Sequence, residues 1–195
     1  MEKIKIQVAS RDDALACAVI YGHYTLKTAV SFDYEAMPVY EFAKKIEKTL
    51  ERYPFLVAKE GQRRIGYAYA SPFKERPAYN RAVETTIYLD PDCRGRGAGR
   101  LLYTALEEEL KKQGVLNLNA CIALSPDPDD PYLSDASIRF HERMGYQKVA
   151  HFTACGRKFD RWYDMIWMEK MIGEHTDDPS PFIPYGQLME NNATD

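Results

Sequence analysis

The sequence lacks any long hydrophobic run and contains few cysteines. No stretch reaches the roughly 18 consecutive apolar residues of a membrane-spanning helix, so we expect no membrane association. Residues 1–5 also lack the apolar segment of a secretory signal, which favours a cytoplasmic protein. The cysteines stand too far apart for a CxxC pair or a metal-ligand cluster; they are Cys17, Cys93, Cys121 and Cys155. We therefore predict free thiols and no bound metal.

An excess of charge of one sign is also absent. The 195 residues include 26 Lys and Arg against 29 Asp and Glu, which gives a formal net charge of −3. With a pI near 5.9, the chain has no electrostatic reason to bind nucleic acid, and we expect no such partner. Hydrophobic residues make up 45% of the chain, which excludes a collagen-like or wholly disordered protein. The length predicts one domain that can fold without disulfides or metal.

The sequence does contain an ordered series of strand and helix patterns. Alternating apolar and polar residues predict strands, and apolar residues three or four positions apart predict helices. The expected strands are 4–8, a hairpin that begins at Phe55, 82–89, 115–123, 146–154 and 163–170, and the expected helices include 101–112 and 137–144. We predict an α/β (α+β) domain over residues 1–172. An extended, proline-containing tail is expected over residues 173–195, in which docking of Phe182, Ile183 and Tyr185 on the domain is the alternative.

A glycine-rich loop connects a predicted strand to a predicted helix. It reads Arg94-Gly95-Arg96-Gly97-Ala98-Gly99-Arg100. Glycines remove the Cβ atoms that keep a ligand from the backbone, and the next helical turn offers unpaired N–H groups and a positive dipole end. The arginines add bidentate donors. The loop therefore predicts a site for the anionic oxygens of a phosphate ligand, and a mobile surface turn is the alternative.

The spacing of the glycines separates this loop from two common phosphate loops. A Walker loop ends in Gly-Lys-Ser/Thr, whereas this loop ends in Gly99-Arg100-Leu101. A Rossmann fingerprint requires GxGxxG, which glycines at 95, 97 and 99 do not match. The pattern Arg-x-x-Gly-x-Gly instead resembles the pyrophosphate loop of the GNAT family of coenzyme-A-dependent N-acetyltransferases.

The resemblance to the GNAT family extends from about Ile4 to Met171. Residues 137–146 resemble the family's late helix and its Gly-aromatic turn. Segments 71–73, 76–79, 83–88 and 158–164 are similar to the phosphinothricin N-acetyltransferase branch. The resemblance implies a mixed, twisted sheet of six or seven strands flanked by helices, with acetyl-CoA entering a split between two central strands.

The resemblance also implies which residues contact acetyl-CoA, the expected cosubstrate. The pyrophosphate is expected on residues 94–100, with further contacts from Ile87, Leu89 and Ser137. Backbone N–H groups of residues 87–89 would stabilise the developing oxyanion if that strand diverges from its neighbour. Ser134 stands where relatives often have Asn, and we expect it to cap the late helix.

Acetyl transfer to an amine requires a base, because an alkyl amine is mostly protonated at neutral pH. Glu84 matches the general base of the branch, and a solvent-facing strand residue is the alternative. His141 is expected near the cofactor, where it would protonate the leaving thiolate or orient a water; a packed, hydrogen-bonded histidine is the alternative. A thiol nucleophile at Cys93 or Cys121 lacks a recognisable His/Asp partner.

The family match also suggests an acceptor pocket. Its expected lining residues are Tyr34, Phe73, Lys74, Arg76 and Tyr79. Lys74 and Arg76 would hold a carboxylate, which favours a small amino-acid-like amine; a solvated charged loop is the alternative for these two residues. The branch usually has an arginine where this chain has Asp33, so phosphinothricin itself is expected to be a poorer acceptor.

The expected function is direct acetyl transfer to such an amine within a ternary complex. One alternative is a non-catalytic coenzyme A sensor, which would not need Glu84. Another is a peptide or protein N-acetyltransferase, which would need an open groove. Homodimers are common in this branch, so a homodimer is a candidate assembly.

Overall fold

The computed structural model describes residues 2–192, in which seven strands form one sheet in the order β1-β2-β3-β4-β5-β7-β6. The strands are β1 (Ile4–Val8), β2 (Phe55–Glu60), β3 (Arg63–Pro72), β4 (Ala82–Leu89), β5 (Asn117–Leu124), β6 (Gln147–Lys158) and β7 (Arg161–Met171). The α-helices are α1 (Ala14–Lys27), α2 (Val39–Leu50), α3 (Ala98–Lys112), α4 (Ala136–Arg143) and α5 (Tyr185–Asn192). None of these helices is long and apolar enough to cross a membrane.

A fork between β4 and β5 is the feature that positions the site. Neighbouring strands run antiparallel except for this pair, which is parallel. Both strands contain eight residues, yet they pair only from Ala82↔Asn117 to Glu84↔Asn119. Beyond that point the strands separate, which confirms the expected split between two central strands.

The two faces of β4 pack against different hydrophobic cores, because successive side chains of a strand point to opposite sides of the sheet. Val83, Ile87 and Leu89 belong to the core that α3 covers. Tyr88 packs on the other side, in the core that α1 and α2 share with β2 and β3. Glu84 is in register with Tyr88 and therefore faces away from α3.

Two elements differ from their predicted bounds in ways that affect the site. Helix α3 begins at Ala98 rather than Leu101, directly after Gly97, so the glycine loop runs into its first turn. Strand β6 extends to Lys158, four residues past its predicted end. The register between β6 and β7 shifts near Ala154, where φ is +47°. Such a shift breaks the alternation of side chains, so the alternating pattern could not predict the full length of the strand.

The expectation of an extended tail is wrong for residues 185–192, which form α5. The segment before α5 is held by Gln113, whose backbone carbonyl accepts from Ile183 N (3.0 Å) and whose Nε2 donates to Ile183 O (2.9 Å). Tyr185 is buried, and Phe182 packs against Tyr53. This burial of aromatic side chains holds the segment on the domain. Residues 193–195 of the predicted tail lie outside the described residues.

Candidate active site

The backbone of the glycine loop is open to a ligand at two of its glycines. Gly95 and Gly97 adopt φ values of +73° and +85°, a region that favours glycine. Apart from the glycine itself and its two chain neighbours, no heavy atom of residues 2–192 lies within 4 Å of the position that a Cβ would take at either residue. Gly97 is also the N-cap of α3 and no side chain caps this helix, so the N–H groups of its first turn lack carbonyl partners. This arrangement fits an anion such as a pyrophosphate.

Gly99 has a different role from the other two glycines. A Cβ on it would lie 3.1 Å from the Phe140 ring and 3.4 Å from Leu89 Cδ1. The absence of a side chain therefore allows α3 to pack closely on α4 and on the end of β4. Gly99 stabilises the position of the loop through packing.

The three arginines of the loop are in unlike surroundings. Arg96 forms a salt bridge with Glu60 and lies 3.8 Å from the Cys93 sulfur. Arg94 is exposed and lies over the Tyr24 ring, 5.3 Å from its centre. Arg100 is also exposed, in the first turn of α3. Arg94 and Arg100 are therefore better placed than Arg96 to meet an incoming anion.

Glu84 lies at the point where the two strands separate. It forms the last β4–β5 pair with Asn119, and its side chain is half-buried. Burial raises the pKa of the Glu84 carboxyl above 4.5, and the nearby Lys74 ammonium opposes that shift. A carboxylate with a raised pKa is a stronger base at neutral pH than an ordinary glutamate.

A cavity of about 130 Å³ occupies the fork and brings several predicted residues together. Glu84, Ile87, Ser137 and His141 all line it. The β4 segment that follows Glu84 has no β5 partner, and alternate residues of a strand direct their N–H groups to opposite sides. The fork therefore has free N–H groups of β4 at its edge. Leu89 lies outside this lining, and its carbonyl accepts from Tyr24 Oη at 2.6 Å.

His141 is packed and hydrogen-bonded, which agrees with the structural alternative given for this residue rather than with a role as an acid. It is 3% exposed, with Nδ1 2.8 Å from Ser137 O and Nε2 3.0 Å from Tyr103 Oη. We assign the proton to Nδ1, which donates to the carbonyl, so Nε2 accepts from Tyr103. Burial lowers the pKa of the imidazole, although the bond to Ser137 opposes the shift. The ring is therefore neutral at pH 7 and has no spare N–H to give.

Tyr103 and Thr85 are site residues that sequence patterns did not indicate. Tyr103 lines the fork cavity, and its hydroxyl lies 3.4 Å from Thr85 Oγ1. Thr85 Oγ1 lies 3.1 Å from both Asn119 O and Tyr146 Oη, so it bridges β4 and β5 at the fork. A tyrosine at a buried helical position has the same pattern as a core residue, so no sequence signal could have found it.

The start of α4 differs from the prediction. Its N-cap is Asp135, without a side-chain capping bond, so the expectation that Ser134 caps this helix is wrong. Helix α4 begins at Ala136, one residue before the predicted start at residue 137. Ser137 therefore lies in its first turn, beside the fork cavity.

The cysteines of the site are poor nucleophiles in this arrangement. Burial, followed by the charge of Glu84, raises the pKa of Cys121 to about 12, so its thiol stays protonated. Cys93 is buried in a short turn before the glycine loop. Across residues 2–192, no three His, Cys, Asp or Glu side chains are grouped as metal ligands.

A larger cavity, of about 640 Å³, adjoins the fork on the Glu84 face of the sheet. Its lining includes three residues of the predicted acceptor pocket, Phe73, Lys74 and Tyr79. Asn119, the strand partner of Glu84, also lines it, and the Lys74 ammonium is close enough to act on the Glu84 carboxyl, so this cavity lies beside the Glu84 end of the fork. The Phe73 ring packs edge-on against Trp167 at 5.4 Å.

The two other predicted acceptor residues lie outside this lining. Arg76 is exposed at the start of the short turn over Pro77–Tyr79. Tyr34 is 69% exposed, and its hydroxyl donates to Arg157 O at 2.6 Å. The structure therefore does not bring Tyr34 and Arg76 into the pocket with Phe73, Lys74 and Tyr79.

Comparison with known proteins identifies the family. Residues 6–167 match the Acetyltransferase (GNAT) domain. The chain belongs to the GNAT acetyltransferase family. A phosphinothricin N-acetyltransferase of Streptomyces viridochromogenes is 33% identical over 185 residues, which cover 95% of this chain and 96% of the relative. An L-amino acid N-acyltransferase of Escherichia coli is 29% identical over 175 residues, or 89% of this chain and 97% of the relative.

The fold agrees with this assignment. The crystal structure of a GNAT superfamily phosphinothricin acetyltransferase from Sinorhizobium meliloti, in complex with acetyl-CoA, has a TM-score of 0.80 at 28% identity. The match covers 93% of this GNAT chain and 98% of that one. The protein is thus an acetyl-CoA-dependent N-acetyltransferase with a GNAT fold, as the glycine loop and the order of segments predicted.

Proposed function

We propose that this GNAT enzyme acetylates the α-amine of a small, neutral or modestly polar amino acid by direct attack in a ternary complex. The position of Glu84 carries the proposal. Its carboxylate lies at the fork, beside the unpaired edge of β4, and adjoins a cavity lined by aromatic residues and Lys74. A base, backbone donors and an acceptor pocket therefore converge at one place.

The glycine loop and the fork divide the binding of acetyl-CoA between them. Residues 94–100 hold the pyrophosphate, chiefly through the N–H groups of the first turn of α3 and through Arg94 and Arg100. The β4 edge near Ile87 and Leu89 contacts the pantetheine, and Ser137 adds a contact from α4. When bound, acetyl-CoA supplies an activated acyl group as a thioester.

The residues around the fork supply the proton transfers and the charge stabilisation. Glu84 takes the proton of the attacking ammonium, directly or through a water, so that the free amine attacks the thioester carbon. The N–H groups of β4 that face the fork stabilise the oxyanion. Its collapse breaks the thioester C–S bond, and the departing coenzyme A thiolate takes up the second proton that the attacking nitrogen releases. His141 has a positioning role, because its Nε2 holds the Tyr103 hydroxyl at the wall of the cavity.

The acceptor cavity favours a compact substrate with a carboxylate. Lys74 provides a cation near Glu84, and Phe73 and Tyr79 provide apolar walls. Tyr34 and Arg76 lie nearer the surface, so we propose for them contacts only at the mouth of the site. The similar proteins from Streptomyces and Escherichia coli are named for phosphinothricin and L-amino acids, which is the same class of acceptor.

Asp33 sets the preference within this class. Its carboxylate accepts a hydrogen bond from Tyr21, and it contributes, after burial and other groups, to the raised pKa of Tyr88 in the fork cavity. A carboxylate here repels the phosphinate of phosphinothricin. The Asp33→Arg substitution should therefore raise kcat/KM for phosphinothricin relative to a neutral amino acid about ten- to a hundredfold.

Steady-state kinetics with phosphinothricin, methionine sulfoximine, free amino acids and a lysine-rich peptide test this proposal. Glu35→Arg is the matched control, because Glu35 is an exposed residue of the same loop and the charge change is equal. We expect the control to leave the ratio unchanged. If the wild-type enzyme prefers the peptide, the small-acceptor proposal is wrong; if it prefers phosphinothricin, the role of Asp33 is wrong.

We also propose a homodimer that uses the exposed face of β6. This strand is twelve residues long and lies at the edge of the sheet, with exposed Val149 and Phe152. An uncovered apolar edge strand is a natural pairing surface. Light scattering should show a dimer for the wild type and a monomer for the double substitution Val149→Glu, Phe152→Glu; a wild-type monomer would contradict the proposal.

We propose a cytoplasmic location, because the cysteines form no disulfide. All four are free, although Cys155 is exposed. Free, accessible thiols persist in a reducing compartment.

A further inference from the structure

The loop between α1 and α2 borders the fork cavity. Residues 28–34 have no helix or strand, and Val30 lines the fork cavity with Glu84 and Tyr88. Asp33 lies in the same stretch. The position of this loop therefore determines the space that an acceptor can occupy beside the base.

Lys158, the last residue of β6, holds this loop from the far side of the site. Its Nζ donates to Ser31 O at 2.5 Å and to Thr25 O, in the last turn of α1, at 2.7 Å. The two bonds connect the β6–β7 turn to both the end of α1 and the loop that follows it. One ammonium therefore fixes the point at which the chain leaves the helix.

The burial of Lys158 is unusual for a lysine. The residue is only 3% exposed, and its hydrogen bonds within residues 2–192 go to those two carbonyls. Burial lowers the pKa of the ammonium, although Asp33 opposes the shift. An apolar side chain would fill the same space at a lower desolvation cost, but it would fix no carbonyl. The contribution of Lys158 is therefore to fix the conformation of the α1–α2 loop.

Two neighbours of Lys158 hold the same loop. A Cβ on Gly156 would lie 2.2 Å from Phe32 Cε2, so the phenyl ring rests directly on the backbone of β6. The carbonyl of Arg157 accepts from the Tyr34 hydroxyl at 2.6 Å. Three consecutive residues of β6 thus contact the loop at three points.

We infer that residues 156–158 form a clamp on the α1–α2 loop, and that Lys158 is a positioning residue of the acceptor site. The inference rests on the proposed function, because it assigns the loop to the acceptor. The clamp acts on the binding of the amine and leaves the glycine loop untouched. It therefore predicts a change in the acceptor KM that is separate from the affinity for acetyl-CoA.

The Lys158→Met variant tests the clamp, since methionine has a similar length but no N–H donor. We expect the acceptor KM, measured with the amino acid of highest turnover, to rise about tenfold through misplacement of the loop. The acetyl-CoA dissociation constant should stay within about twofold. Lys148→Met is the matched control, because Lys148 is exposed on the same strand, lies outside residues 156–158 and undergoes the same substitution. If Lys158 had a purely structural role, Lys158→Met would reduce the melting temperature, and the acceptor KM and the acetyl-CoA dissociation constant would change together or not at all.

Hydrogen–deuterium exchange provides a readout that does not depend on the acceptor. Exchange of residues 28–34 should increase in Lys158→Met and stay unchanged in Lys148→Met. If Lys158→Met does not fold, Tyr34→Phe removes another clamp contact at an exposed residue and should show the same pattern with a smaller rise. Wild-type exchange and wild-type acceptor KM in a folded variant would overturn the clamp. Absence of turnover with every amino acid would instead overturn the proposed acceptor. In that case the hydrogen–deuterium exchange of residues 28–34 would still show whether Lys158 holds the loop.

Discussion

The Gly97→Glu variant should lose coenzyme A binding while keeping its fold. The new side chain enters open space, because beyond the two chain neighbours no heavy atom of residues 2–192 lies within 4 Å of the Cβ position. Its carboxylate would lie at the N-terminus of α3, where it competes with the pyrophosphate for the N–H groups and repels its charge. We expect the dissociation constant of coenzyme A to rise at least about a hundredfold, since like charges in contact cost several kcal/mol.

A second substitution at the same residue separates charge from backbone strain. Gly97 has a φ of +85°, so any side chain there costs about 1–2 kcal/mol. Gly97→Gln carries this strain and nearly the same volume without the charge, and it should bind coenzyme A more tightly than Gly97→Glu. Calorimetric titration of both variants makes the comparison. Unchanged affinity in Gly97→Glu would show that the pyrophosphate lies elsewhere.

The Glu84→Gln variant should retain acetyl-CoA affinity and lose about 10²- to 10⁴-fold in kcat, the usual contribution of a general base. The amide has the shape of the carboxylate but cannot accept the proton of the amine. Glu108→Gln is the control, because Glu108 is exposed on α3 and its substitution removes the same charge. A loss in kcat of less than about tenfold in Glu84→Gln would remove Glu84 from the reaction.

The pH dependence of kcat follows from the same carboxyl. Its pKa is raised above 4.5 by burial, so the wild-type kcat at saturating amine should fall as the pH is lowered through that raised value. The sign is fixed because the deprotonated form is the base. In Glu84→Gln this acidic limb should be absent from the residual rate.

The fold and the open backbone of the glycine loop were largely predictable because their signals are local. The glycine spacing, the strand before it and the helix after it are contiguous in the chain, and each depends on backbone conformation or periodicity. Glu84 was predictable only through the family resemblance, since a glutamate in a strand has no pattern of its own. Its position at the fork depends on where pairing with Asn119 stops, which is a property of two distant segments.

Contacts between distant segments explain what sequence patterns missed. Tyr103 reaches His141 across 38 positions, and Lys158 reaches Ser31 across 127. Tyr185 is buried against the domain, in keeping with the expected docking of the tail, whereas the proline content of the tail gave no sign of helix α5. Arg96 was expected to face an anion, yet Glu60, a residue of another strand, pairs with it.

The central claim is direct transfer from acetyl-CoA to an amino-acid amine at the Glu84 fork. Initial rates measured while both substrates are varied, together with the intact mass of the enzyme under turnover, test it most directly. A ternary complex predicts intersecting reciprocal plots and an unmodified enzyme, in keeping with the protonated Cys121 thiol. Parallel plots with an acetylated Cys93 or Cys121, or tight acetyl-CoA binding without thiol release to any amine, would contradict it.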